Sequence, residues 1–307
     1  MKQLADAGVG AVVLYSLFEE QLRREAALNA RLADTGAESF AEATSYFPDA
    51  AEAEPGPRRY LSLLERAATA VEVPVIGSLN GVTPGGWADY ARAMEDAGAA
   101  AIELNVYSLP GDPHSTGREV EQRCIDVVMR VKDVVTVPVA VKLGPYFSSI
   151  GEMALRLDEA GADGLVLFNR FLQPDIDPES LAVLSTVNLS IPAEARLPRT
   201  WIALLYGRVS AALAASTGVE EPADVAGYLL AGADVVMTTS ALLRHGPGYA
   251  SVLLDGLSAW MTRKGFVTIG ELRGILSVPT GTDEAAHERA GYVSVLRKAN
   301  RGAYGPW

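Results

Sequence analysis

A lysine inside a β-branched run is the most informative residue of this chain: Lys142 lies in PVAVKLGP at 138–145. An ammonium buried in such a strand is costly unless an anion or a strong acceptor meets it. Two readings stand side by side, a cation aimed at a cofactor or at developing negative charge, and a structural ion pair inside the fold. Other chemistry-bearing residues gather where apolar runs end. AIELNVYSLP at 101–110 turns polar at Asn105, Tyr107 and Ser108, VPVIGSLNG at 73–81 closes on Ser78 and Asn80, and GLVLFNR at 164–170 exits on Asn169 and Arg170. Two later runs end in small hydroxyl residues, Ser216-Thr217-Gly218-Val219 and Thr239-Ser240, each opening a helix. Backbone N–H groups at such turns suit a phosphate.

The elements that must carry these residues show a repeat. Asp6-Ala7-Gly8, Asp96-Ala97-Gly98, Ala160-Gly161 and Ala231-Gly232 each end an amphipathic helical pattern and lead into a short apolar strand with a polar or small exit. Glycine past a helix end accepts φ > 0 without steric cost. Four αβ loops of this kind predict parallel strands whose carboxyl ends converge on one face, an α/β fold of the (β/α)8 TIM-barrel type. No strand precedes the first helix, so the barrel is expected to lack its first strand at the N-terminus. The 307 residues, 49% hydrophobic, form a single domain, residues 1–307.

In chain order, the pattern predicts strands over 11–16 and 73–81, within 101–110, 137–145 and 164–170, and over 211–215 and 235–238. Helices are expected over 59–71, from Thr83-Pro84 to Asp96, over 119–132 and 150–160, from Pro222, and over 284–298. Residues 18–57 read as a charged helical cap over the catalytic face, with Tyr46 and Phe47 at its tip. Residues 173–201 read as a long polar connection, in which Arg196 and Arg199 are either anion-recognising residues or, the reading preferred, solvated surface cations.

Composition narrows the function. A net charge of −12 gives no nucleic-acid footprint, and no apolar run is long enough to span a bilayer, so a cytoplasmic protein is expected. One cysteine, Cys124, excludes an internal disulfide and a protein-held iron–sulfur cluster, and it reads as a packed thiol. His114, His245 and His287 have no metal-ligand spacing, so no metal is expected.

ELNVYSLP at 103–110, PVAVKLGP at 138–145, LFNR at 167–170, ASTGV at 215–219 and AGADVVMTTSALL at 231–243 resemble, in order and spacing, the dihydroorotate dehydrogenase superfamily. That resemblance spans nearly the whole chain. It implies an FMN-containing barrel that oxidises dihydroorotate, or a related dihydropyrimidine, to orotate by hydride transfer to flavin in pyrimidine biosynthesis. Lys142 matches the lysine against the flavin, and Asn105 and Asn169 match substrate-binding asparagines. Ser108 falls on the catalytic base position, and a serine there needs a water or donor chain to take a proton. Gly218, Val219, Thr239 and Ser240 match the phosphate loops, and Ser78 and Asn80 lie on the flavin-binding side. The superfamily passes electrons to fumarate, to NAD through an iron–sulfur flavoprotein partner, or to quinone, and related members are often homodimers.

Departures from the family pattern are specific. Its closing Pro-Asn is Leu109-Pro110 here, Arg170 replaces a small hydroxyl residue, and Thr217-Gly218 and Thr239-Ser240 stand where Gly-Gly and Gly-Thr are usual. Replacing glycine adds bulk where backbone approaches phosphate. Two alternatives therefore accompany the oxidoreductase reading: a barrel that binds FMN or a phosphate ligand without turnover, and a flavin-free lyase using Lys142 as base or Schiff-base amine.

Overall fold

The structure, a computed structural model, describes residues 1–20, 56–81, 84–107, 111–171, 174–185, 187–282 and 284–299. Alternating and β-branched runs form β1 (Val12–Phe18), β2 (Val75–Asn80), β3 (Ala101–Val106), β4 (Val139–Leu143) and β5 (Gly164–Leu167). An antiparallel hairpin follows, β6 (Asp175–Asp177) and β7 (Ala182–Leu184), and then β8 (Ala212–Ala215) and β9 (Val235–Val236). Seven of these make one parallel sheet in the order β1-β2-β3-β4-β5-β8-β9.

The helices between them are α1 (Lys2–Asp6), α2 (Gly56–Ala70), α3 (Pro84–Asp96), α4 (Gly117–Lys132), α5 (Ile150–Glu159), α6 (Arg196–Leu205) and α7 (Pro222–Ala231). After β9 come α8 (Ser240–His245), α9 (Tyr249–Lys264), α10 (Ile269–Leu272) and α11 (Glu284–Ala299). The sheet curls into a barrel that stops short of closing. Among the described residues β1 and β9 each pair with one strand only. Ser251 of α9 spans the gap, its hydroxyl donating to the Ala7 carbonyl beyond α1 at 3.1 Å.

Strand periodicity decides what faces where. In β4, Val139, Val141 and Leu143 are fully buried against the helices, while Ala140 and Lys142 face the half-open barrel interior. The outer layer is the core, joined by Ile102, Leu104, Leu165, Met153 and Leu157. Cys124 packs there in α4, and burial pushes its thiol up to about 11.

The repeated phrase at the strand entrances has a physical basis. Its glycines adopt φ of +88° at Gly8, +90° at Gly98, +92° at Gly161 and +121° at Gly232, as a chain reversing from helix to strand requires. Its aspartates bind the neighbouring strand: Asp163 accepts from Val139 N at 2.7 Å, and Asp234 from Leu213 N at 2.9 Å. Helix-borne carboxylates do the same, Glu95 accepting from Thr136 N and Val137 N, and Asp158 from Ser210 N and Ala211 N.

Two expectations need correction. Residues 173–201 are not a plain connection: they hold the hairpin, a 3₁₀ turn (Pro192–Ala195) and most of α6. Pro198 obscures that helix in the sequence, yet it sits in the first turn, where its missing N–H has no intrahelical partner to lose. Arg199 is no free surface cation either. It pairs with Asp224 at 3.6 Å and lies over the Tyr228 ring, tying α6 to α7. The expected cap begins inside β1, which runs to Phe18, and its residues 21–55 lie outside the described residues.

Candidate active site

Polar side chains cross the concave face of the sheet in a continuous line. Asn169, just past β5, donates from Nδ2 to Asn105 Oδ1 of β3 at 2.6 Å. Asn105 Nδ2 donates to Ser16 Oγ of β1 at 3.1 Å, Ser16 Oγ lies 2.8 Å from Ser78 Oγ of β2, and Ser78 Oγ donates to Glu103 Oε1 at 3.1 Å. Lys142 Nζ stands 3.7 Å from the same Glu103 oxygen. Side chains thus touch between next-nearest strands, which only a strongly curved sheet permits.

Local sequence explains the placement. Glu103 and Asn105 share a face of β3 by period two, and Asn105 is in register with Lys142. Ser16 faces Ser78 because of a β-bulge: the register runs Val13 to Ile76 and then Ser16 to Ser78, one residue extra on β1. A regular ladder would have put Tyr15 there, and Tyr15 instead points outward onto Tyr60 with ring centroids 5.2 Å apart. Tyr60 of α2 brackets Ser78, accepting from its N–H at 3.0 Å and donating to its carbonyl at 3.2 Å. Burial pushes the Tyr60 phenol up to about 12, so it stays a neutral donor.

Lys142 lies in a cleft that runs from this polar line to the loops after β8 and β9. Its walls include Asn169, Arg170, Ser190, Thr217, Gly218 and Ser240, with Val219 and Thr239 beside them. Thr217 and Gly218 hold φ of +81° and +71° in a tight turn, with the Thr217 hydroxyl donating to the Phe168 carbonyl at 3.3 Å. A Cβ on Gly218 would lie 2.7 Å from the Ala195 N atom, so only glycine fits against the 3₁₀ turn. Ser190 joins the two loops. Its Oγ is 2.9 Å from Ser240 Oγ and accepts from Gly218 N at 3.3 Å, while its N–H donates to Ser240 Oγ at 3.0 Å.

Charge around this end is paired. Arg170 Nε meets Glu194 at 3.1 Å and its guanidinium also donates to the Asn188 carbonyl; Arg244 reaches Ser190 O at 2.8 Å and pairs with Glu220. The His245 contact to Glu220 at 2.7 Å, with Arg244 beside it, holds the Glu220 carboxyl below the usual carboxylate range.

Lys142, Asn169, Gly218, Val219, Thr239 and Ser240, foreseen from the sequence, therefore share one cleft. Asn105 and Ser78 join it through hydrogen bonds, and Asn80 ends β2 two residues beyond Ser78 on the same face. Ser108 lies outside the described residues. For Lys142 the ion pair and the cleft-lining position hold together. Sequence reasoning missed Glu103, Ser16 and Ser190. A carboxylate within an apolar strand is the same signal that singled out Lys142, so Glu103 was within reach; a bulge and a long-range serine contact leave no local mark.

A curved parallel sheet carrying its polar groups at the strand carboxyl ends defines a barrel enzyme of the TIM type. Sequence comparison makes this specific. The chain belongs to the dihydroorotate dehydrogenase family, whose pattern, described as Dihydroorotate dehydrogenase, matches residues 32–261. A putative dihydroorotate dehydrogenase A (fumarate) from Aeropyrum pernix is 30% identical over 232 residues, 72% of this chain and 74% of the relative. The catalytic subunit of dihydroorotate dehydrogenase B (NAD(+)) from Methanothermobacter thermautotrophicus is 32% identical over 212 residues, 66% of this chain and 69% of the relative. Its counterpart from Halalkalibacterium halodurans is 31% identical over 213 residues, 66% and 68% of the two chains. The protein is accordingly an oxidoreductase acting on CH–CH bonds.

Proposed function

We propose that the chain is an FMN-dependent oxidoreductase of the dihydroorotate dehydrogenase type, taking dihydroorotate or a close dihydropyrimidine to the orotate-like product in the cytoplasm. The observation that carries this reading is the cleft itself, with a carboxylate-partnered ammonium and two amides at one end and two hydroxyl-rich turns at the other. That donor set fits FMN: Lys142 and Asn169 would hold the ring, and Gly218, Val219, Thr239 and Ser240 the phosphate. Bound FMN supplies the two-electron acceptor for the substrate hydride. Lys142 keeps positive charge where negative charge builds during that transfer, and Asn105 and Asn169 orient the substrate ring. Ser108 takes the proton from the adjacent carbon, aided by a water or donor chain.

The test is the visible spectrum of the purified protein with chromatography of whatever acid releases, followed by anaerobic mixing with dihydroorotate. Released FMN whose absorbance bleaches on mixing is the expected result; a flavin that stays oxidised rules out this substrate. Binding without turnover is the second reading, favoured by Thr217-Gly218 and Thr239-Ser240 standing where Gly-Gly and Gly-Thr are usual in the family. Ser108→Ala separates the two, since flavin reduction is lost from an enzyme and ligand binding is unchanged in a binder. For the electron acceptor, we propose fumarate or a partner iron–sulfur flavoprotein linked to NAD, and a homodimeric assembly. Reoxidation of the reduced protein by fumarate alone distinguishes the acceptors. Among the described residues no helix is long and apolar enough to cross a membrane.

A further inference from the structure

The polar line across the sheet has a direction, set by elementary donor and acceptor counting. Glu103 is 2% exposed, Lys142 Nζ stands 3.7 Å from its Oε1, and that oxygen accepts from Ser78 Oγ. The single Ser78 hydroxyl proton must therefore point to Glu103 Oε1, so Ser78 Oγ accepts from Ser16. The Ser16 proton is then spent on Ser78, and Ser16 Oγ accepts from Asn105, which must present Nδ2 there. Asn105 Oδ1 is left to face Asn169, which must present its own Nδ2, and Asn169 Oδ1 accepts from Arg170 N at 3.0 Å. Every donor points toward Glu103, and no amide in the line can turn over without leaving a polar group unpaired.

We propose that Glu103 is a positioning residue: it anchors a one-way hydrogen-bond chain through Ser78 and Ser16 that locks which edge the Asn105 and Asn169 amides show to the substrate. An amide that cannot rotate offers a fixed order of N–H and C=O, and so reads one order of ring carbonyls and ring N–H groups. The β1 bulge supports this assignment, because its extra residue is what brings Ser16, rather than Tyr15, opposite Ser78. Tyr60 fixes the backbone of Ser78 from behind. The selectivity part rests on the reading that the two asparagines hold substrate; the locking of the amides does not.

The experiment is side-chain amide NMR of protein labelled with 15N at asparagine only. Six residues contribute, Asn29, Asn80, Asn105, Asn169, Asn188 and Asn300, assigned by substitution. Glu103→Gln and Ser78→Ala touch neither Asn105 nor Asn169, yet both are expected to move or split the NH2 signals of these two and to speed their hydrogen exchange. Ser78→Thr, which keeps the hydroxyl, should return the wild-type spectrum, and unchanged circular dichroism shows the fold intact. The second readout titrates orotate against its analogue in which one ring carbonyl is replaced by an amino group. Wild type should prefer orotate, and Ser78→Ala should lose about tenfold of that preference, as expected when an amide is free to turn. Amide signals that stay in place in both Glu103→Gln and Ser78→Ala overturn the proposal. Wild-type protein that binds neither ring overturns the substrate reading, and the amide spectra still decide the chain.

Discussion

At the scale of single residues, Lys142 and Gly218 both line the cleft, one through a charge and the other through a backbone no side chain fits. Lys142 stands beside the buried Glu103 carboxylate and opens into the cleft, so Lys142→Met removes a charge held in place there. Losing one such electrostatic contact should slow flavin reduction by substrate about 10²–10³-fold, measured by anaerobic stopped flow; a rate within threefold of wild type would contradict the role given to it. Gly218→Ala forces a side chain against Ala195 N at a φ of +71°. It should cost at least ~1 kcal/mol in urea unfolding and weaken FMN retention, whereas Gly111→Ala, with nothing within 4 Å, should do neither. Lys142 was legible in the sequence because a charge in a β-branched strand is an anomaly. The company it keeps was legible only in part, since Ser16 owes its place to a bulge and Ser190 to a contact with Ser240, 50 residues away.

At the scale of elements, the repeat of helix, Ala-Gly and strand was readable because each unit carries its own signals: helical periodicity, a glycine at φ > 0 and a β-branched run. Less readable were α6, whose Pro198 mimics a break, and β9, two residues long where four were expected. One carboxylate at a strand entrance, Glu95, is a pH-sensitive part of this architecture. Hydrogen bonds from the Thr136 hydroxyl and backbone hold Glu95 below its ordinary value of 4.5. A depressed carboxylate contributes stability above its unfolded pKa and loses it as pH falls through its folded one. The urea midpoint should therefore drop as pH is lowered from about 5 to about 3. Glu95→Gln should be less stable than wild type at pH 7 and show a shallower drop across that window; parallel curves would mean that Glu95 carries no part of the acid response.

At the scale of the whole molecule, sheet order among the described residues follows chain order, with the β6–β7 hairpin stepping aside. Each strand of the barrel therefore docks beside one made just before it, through contacts closed over tens of residues. The tie between Ser251 and Ala7 is different, joining positions 244 residues apart across the unpaired edges of β1 and β9. Amide exchange should reveal this seam, with the protons of β1 and β9 exchanging well before those of β3 and β4. Uniform protection around the sheet would contradict it. Folding speed follows from the same layout, because closing long loops is what slows assembly. The sheet can zip forward as the chain leaves the ribosome, with its register already set strand by strand. The tie between Ser251 and Ala7 can form only after α9 has been synthesised, whereas the residues of the polar line, from Ser16 to Asn169, all precede β8 in the chain.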